Sequence, residues 1–216
     1  MKFERKGMLA PYTILTSLIT GIVFPFLGSV IALDLGVIED FYIEGLILVL
    51  LGGFLAQWVL AHTIHDLYHM KKDNRVTFSK TTLKILLVIS FSILLAIAIY
   101  LTVQRGWPVL VFSIIGGIVS LYAEGLIHHE SQMAFGAMFL VIGAFYVQAG
   151  TLDLSYKIWL RVLCISLFSF FSQYGWLLIY RLDDYGYNEK RKNTSILVIK
   201  CSFVFLILYF ILQIKF

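Results

Sequence analysis

Charged residues are scarce in this sequence: of 216 residues only 14% are Asp, Glu, Lys or Arg, whereas 60% are hydrophobic. A soluble domain of this length does not need so many apolar side chains, so the composition excludes an ordinary soluble fold. Several uncharged runs are close to twenty residues long, the length at which an α-helix crosses a bilayer. The sequence therefore predicts an integral membrane protein.

Cysteines and linker sequences are also sparse. The two cysteines, Cys164 and Cys201, lie in apolar runs without a partner motif, which predicts free, buried thiols. No low-complexity stretch and no Pro/Gly/Ser-rich linker divides the chain, so we expect a single transmembrane domain, residues 1–216. The basic N-terminus is similar to the start of a signal peptide. However, the apolar run behind it is too long for one and has no cleavage site, so we expect a retained first span.

The uninterrupted apolar runs predict helices rather than barrel strands, because backbone groups in lipid must be hydrogen-bonded within the protein. We therefore expect an all-α, multi-pass transmembrane helix bundle of about seven spans. The predicted spans are 11–34, 43–65, 82–103, 108–124, 132–150, 157–180 and 195–214.

Basic residues are concentrated at the N-terminus and in alternate connections between the spans. The second and sixth connections are rich in Lys and Arg, whereas the first contains four acidic residues and no base. The positive-inside rule then places the N-terminus and the second, fourth and sixth connections in the cytoplasm, and the C-terminus outside. The net charge of +4 is explained by this orientation, and we expect no nucleic-acid partner.

A cluster of ionisable side chains lies at the end of the second apolar run. Its members, at offsets 0, 3, 4, 7 and 11 along one face of a helix, are His62, His65, Asp66, His69 and Asp73. Such groups are costly beside a membrane and are typical of functional sites. Their carboxylates favour Mg²⁺, and the imidazoles of His65 and His69 shift the preference toward Mn²⁺, Zn²⁺ or iron. The alternative is a solvated helix end beside snorkelling lysines.

A second polar cluster follows the sixth span. Asp183 and Asp184 precede Asn188, and the basic run from Lys190 to Lys192 comes next. Asp184 and Asn188 are four residues apart, a helical spacing. Oxygen ligands followed by basic residues suit a metal-bridged diphosphate. The alternative is a cytoplasmic turn carrying the charges that the positive-inside rule requires.

Further polar and small residues occur elsewhere in the chain. His128-His129-Glu130 lies in the fourth connection, so that all three polar clusters are predicted on the cytoplasmic side as walls of one site. Tyr146 and Gln148, inside the fifth span, either face a cavity or hydrogen-bond a neighbouring helix. The glycines at 52–53, 116–117 and 136 predict close contacts between helices.

These segments, in this order, resemble the UbiA superfamily of intramembrane prenyltransferases. The family's NDxxDxxxD motif is matched by HDLYHMKKD, residues 65–73, in which histidines replace the Asn and the second Asp. The family's later DxxxD motif aligns with Asp183 and Tyr187, or with Asp184 and Asn188 after a shift of one residue. The runs TSLITGIVFPFLG, RGWPVL and GAFYVQAGTL extend the resemblance over nearly the whole chain, although the family has nine spans and this chain about seven.

The resemblance implies a UbiA-like fold and the chemistry of that family. Mg²⁺ ions would hold an isoprenyl diphosphate and assist the departure of its diphosphate, and the prenyl group would pass to an aromatic or other hydrophobic acceptor. The implied catalytic residues are Asp66, Asp73 and Asp183. The implied metal ligands are Asp66, His69, Asp73, Asp183, Asp184 and Asn188. The candidate substrate contacts are Lys72, Arg75, Arg181, Lys190, Arg191, Lys192, Tyr146 and Gln148.

Three alternatives remain open at the level of sequence. The first is a terpene cyclase of the same family. The second is a histidine-rich membrane metalloenzyme; its ligands would be His62, His65, His69, His128 and His129. The third is a non-catalytic member that binds a lipid or a partner, in which a second subunit or a second copy of the chain supplies the missing helices.

Overall fold

The computed structural model describes residues 8–69, 78–121, 130–180, 182 and 188–214, without the side chains of residues 12, 69, 120, 121, 130 and 180. The described residues form α-helices, two short π-helical segments and their turns, with no strand. In chain order the elements are α1 Pro11–Leu18, π1 Ile19–Val23, α2 Phe24–Asp34, α3 Ile43–Phe54, π2 Leu55–Leu60, α4 Ala61–His69, α5 Lys80–Arg105, α6 Pro108–Leu121, α7 Glu130–Ala149, α8 Tyr156–Tyr180 and α9 Glu189–Ile211.

The helix lengths agree with a membrane protein. Within the described ranges, six helices are long and apolar enough to cross a bilayer. The prediction of an all-α chain is confirmed for these ranges, and a multi-pass arrangement is supported. The fourth predicted span, 108–124, corresponds to α6, which is shorter and is followed by residues outside the described ranges. The seventh span thus stays a prediction.

The last helix begins earlier than the apolar pattern predicts. Asn188 is extended (φ −129°, ψ 115°), and its side-chain oxygen accepts a hydrogen bond from the backbone N–H of Lys190 at 3.0 Å. This N-cap starts α9 at Glu189, six residues before the predicted span begins at residue 195. The helical spacing expected for Asp184 and Asn188 is therefore wrong at Asn188, which precedes a helix instead of lying within one.

The first two membrane-length helices contact each other through glycines. A Cβ added to Gly53 would lie 2.2 Å from the carbonyl oxygen of Gly21, so no side chain fits between these backbones. Gly136 also lies in a tight contact, since a Cβ there would be 3.1 Å from Val119. The prediction of close contacts is confirmed at Gly53 and Gly136. It is wrong at residues 116 and 117, where an added Cβ would meet nothing within 4 Å.

The chain alternates direction from helix to helix, so that the bundle has two ends. The motif end contains the C-terminus of α4 and the first turns of α5 and α9. The opposite end contains Tyr42, where α3 begins, and Arg105, where α5 ends. At the opposite end the Tyr146 hydroxyl donates to the Arg105 carbonyl oxygen at 2.6 Å, and Asp34 accepts from the hydroxyl of Tyr209. These bonds tie α7 to α5 and α9 to α2.

Candidate functional site at the end of α4

One face of α4 buries two polar side chains. Asp66 is only 6% exposed and Thr63 is fully buried, and their spacing of three residues places them on the same face. The Oδ1 atom of Asp66 lies 3.3 Å from Nδ1 of His65. Its Oδ2 atom and the Thr63 hydroxyl are buried without a hydrogen-bond partner among the described residues. A buried carboxylate oxygen without a hydrogen bond costs free energy. The position is therefore one at which a bound cation or a hydrogen-bond donor is expected.

The two histidines of α4 that the structure describes are less buried than Asp66. Nδ1 of His62 lies 2.9 Å from the carbonyl oxygen of Trp58 and 3.1 Å from that of Gln57. Because a carbonyl oxygen only accepts, Nδ1 carries the proton, and the neutral ring keeps only Nε2 for a ligand. The side chain of His65 is 35% exposed. Among the described side chains of the predicted stripe, that of Asp66 is therefore the deeply buried one.

No group of three or more His, Cys, Asp or Glu side chains gathers around a common point in the part of the chain that the structure describes. Asp73, Asp183, Asp184 and the residues His128 and His129 lie outside the described residues, and so does the side chain of His69. The ligand sets predicted for Mg²⁺, and for a histidine-bound metal, are thus not tested. The orphaned oxygen of Asp66 fits the hard oxygen ligands that Mg²⁺ prefers.

Some of the residues predicted to contact the diphosphate lie within the described ranges, and others lie outside them. Lys72, Arg75 and Arg181 lie outside the described residues. Lys190 and Lys192 are exposed, and Arg191 is partly buried, in the first turn of α9. They belong to the motif end, as Asp66 does.

Tyr146 and Gln148 lie at the opposite end of the bundle. The amide of Gln148 accepts from the backbone N–H of Tyr42 at 2.9 Å and donates to its carbonyl oxygen at 3.2 Å. At roughly 1.5 Å per residue, the helix from Tyr42 to Asp66 separates the two positions by about 36 Å. Of the two interpretations of these polar groups, hydrogen bonding to a neighbouring segment is the one found. The structure does not bring them together with Asp66.

An apolar cavity of about 400 Å³ lies between α3, π2, α5, α6 and α7. Its size falls within the range of ligand pockets. Aliphatic, aromatic and glycine residues form its wall, and the polar side chains among them are those of Gln57 and Ser113. Gln57 is not among the residues predicted from the sequence, although an amide isolated inside the uncharged run 45–61 is a signal that could have identified it.

Comparisons of this chain with protein-family models, with curated proteins and with solved structures gave no match. The resemblance to the UbiA superfamily rests on the quoted segments alone.

Proposed function

We propose that the protein is a UbiA-like intramembrane prenyltransferase that acts on an isoprenyl diphosphate and passes the prenyl group to an aromatic or other hydrophobic acceptor. The observation that carries the proposal is Asp66, a carboxylate buried near the end of a membrane-length helix, one oxygen of which has no partner among the described residues. A buried anion is stable only beside a cation or hydrogen-bond donors. A divalent metal bound to diphosphate supplies that partner.

The residues of the chain have distinct roles in this proposal. Asp66 would hold the metal, with Thr63 as a neighbouring oxygen ligand, while His65 lies beside the other carboxylate oxygen. Asp73 and, from the second cluster, Asp183 would complete the ligand sets that the resemblance implies. When bound, the metal would supply the Lewis acidity that assists departure of the diphosphate.

The basic residues of the motif end neutralise the remaining charge of the leaving group. Lys190 and Lys192 are exposed there, in the first turn of α9, as this role requires. Charge-assisted hydrogen bonds from Lys or Arg to phosphate oxygens are among the stronger polar contacts in proteins.

The test compares Asp66→Asn with the parent protein in membranes supplied with a prenyl diphosphate and Mg²⁺. We expect diphosphate release to fall by at least about a hundredfold, because the amide cannot replace an anionic metal ligand. Asp153→Asn is the matched control, since Asp153 is exposed at the opposite end. If Asp66→Ala and Asp183→Ala both release diphosphate at the parent rate, the proposal fails.

A lipid-binding protein without turnover is the second candidate. The observation that favours it is the apolar cavity, in whose wall the described residues include no charged one. This candidate predicts that Asp66→Asn leaves lipid binding intact and that no metal-dependent diphosphate release occurs. Mass spectrometry of lipids that copurify with each protein, beside the diphosphate assay, separates the two functions.

A further inference from the structure

Gln57 is a buried amide in the wall of the apolar cavity, and its side chain has no hydrogen-bond partner among the described residues. It is 8% exposed and lies in π2, and no described residue forms a hydrogen bond with its side-chain amide. Its Nε2 atom reaches across toward α7, 4.0 Å from where a Cβ of Gly136 would lie. Gln148, which is 2% exposed, uses both of its amide atoms. The unused amide of Gln57 therefore points to a ligand instead of a structural bond. π-Helical segments such as π2 are frequent at functional sites.

The cavity is kept open by glycines that packing does not require. A Cβ added to Gly116 or Gly117 would meet nothing within 4 Å, and one added to Gly52 would come no closer than 3.8 Å to a neighbour. Glycine is unfavourable in the interior of a helix, yet these positions gain no backbone contact in return. The space in front of them is the cavity itself.

The wall of the cavity restricts the chemistry of its occupant. Ordered water needs two to four polar partners, and two polar side chains in an otherwise apolar wall do not supply them throughout the space. Apolar side chains around an empty space lose their dispersion contacts. No charged side chain from the described part of the chain lines the cavity, so that a neutral hydrocarbon is the occupant that fits.

The depth of Gln57 restricts the occupant further. The residue lies near the middle of the helix Ile43–Tyr68, about 17 Å from its nearer end at roughly 1.5 Å per residue. A phospholipid keeps its headgroup at the membrane surface and cannot bring it to this depth. A long-chain alcohol or ketone brings a single small polar group there at little cost.

We propose that this cavity binds a neutral, mostly hydrocarbon molecule whose one hydroxyl or carbonyl group hydrogen-bonds the Gln57 amide. A carbonyl accepts from Nε2, and a hydroxyl also donates to Oε1. The binding needs neither a metal nor a diphosphate, and so it does not rest on the proposed prenyltransferase activity.

Photocrosslinking of the purified full-length protein in nanodiscs, without divalent metal, tests the proposal. The probe is a hexadecan-1-ol analogue that carries a diazirine and an alkyne, and the competitors are hexadecan-1-ol, hexadecan-2-one and hexadecane. We expect crosslinks on cavity residues such as Ala56, Ala98 and Ser113. We also expect the alcohol or the ketone to compete about tenfold better than the hydrocarbon, as one buried hydrogen bond allows.

Substitutions at two kinds of position distinguish the effect of the Gln57 hydrogen bond from the effect of the cavity volume. Gln57→Leu should retain the crosslinks but abolish the preference for the alcohol or ketone over hexadecane. Gly117→Leu, and independently Gly116→Leu, should reduce cavity crosslinks at least about tenfold by filling the space. Val111→Leu, on the lipid-facing side of α6, should change neither result.

Gel filtration and thermal unfolding check that each variant is folded. If one of the two glycine variants does not fold, the other provides the test. Crosslinks outside the cavity in the parent protein would overturn the proposal. Equal competition by hexadecane, hexadecan-1-ol and hexadecan-2-one would do the same, and so would full labelling of a folded Gly117→Leu protein.

Discussion

At the scale of single residues, buried amides in this bundle differ in what they contact. Gln148 joins α7 to the start of α3 through both backbone groups of Tyr42, whereas Gln57 contacts no polar partner in the described ranges. A buried hydrogen-bonding group contributes to stability only when its partner is present. The two glutamines are therefore expected to respond in opposite ways to the same substitution.

Replacing Gln148 with Leu should lower the free energy of unfolding by about 1–3 kcal/mol, because it leaves the N–H of Tyr42 without its partner. The carbonyl oxygen of Tyr42 loses one of its two bonds and keeps the one from the backbone N–H of Leu46. Gln57→Leu, without bound ligand, should leave stability unchanged or raise it, since it removes a buried polar group that lacks a bond. Denaturant unfolding in a mild detergent measures both. Equal losses in the two variants would contradict this interpretation.

At the scale of elements, glycines serve two different purposes. Gly53 and Gly21 let the first two membrane-length helices touch beside the π segments, and Gly116 with Gly117 leaves space against which no helix packs. The sequence presents all of these as small residues in apolar runs. A glycine in a helix contact and a glycine beside the cavity therefore look the same in the sequence. Only the neighbours of each glycine in the fold distinguish them.

Gly53→Ala should destabilise the protein by about 1–3 kcal/mol, since its Cβ would overlap the Gly21 carbonyl and the helices would have to separate. Gly117→Ala should be stabilising by about 0.5–1 kcal/mol, because it gains helix propensity and meets no neighbour. Thermal unfolding of the two variants gives the comparison. A larger loss for Gly117→Ala than for Gly53→Ala would refute the contact described for Gly53.

The helix boundaries show which parts of the fold can be predicted from the sequence alone. Apolar runs predict the first helices and the third span closely, because the length of a span is fixed by the bilayer. The start of α9 was missed, since Asn188 caps a first turn that is charged instead of apolar. The π segments and the cavity were also missed, because each depends on side chains from several elements. For the candidate site, the position of Asp66 at a helix end was predictable from the sequence, but its burial relative to His65 was not.

At the scale of the whole molecule, the two ends of the bundle differ in character. Hydrogen bonds between distant segments tie the opposite end together, as between Tyr146 and Arg105, whereas the motif end contains the unpartnered oxygen of Asp66 and the basic turn of α9.

The predicted orientation is tested by single cysteines labelled in sealed vesicles with a membrane-impermeant maleimide. We expect Lys190→Cys to react from the cytoplasmic side and Asp153→Cys from the other, because both positions are exposed and lie at different ends. The parent protein, with Cys164 buried and Cys201 partly buried, provides the background. Labelling of both positions from one side would contradict a membrane crossing by α8, and the reverse pattern would contradict the predicted orientation.

The open space before Gly116 and Gly117 also gives the fold a way to change its selectivity in small steps. Because a Cβ added there meets no described neighbour within 4 Å, alanine, valine and leucine in turn would leave progressively less of the cavity free. Single substitutions at these two glycines would thereby change the size of the ligand that the cavity accepts, while the rest of the fold stays the same.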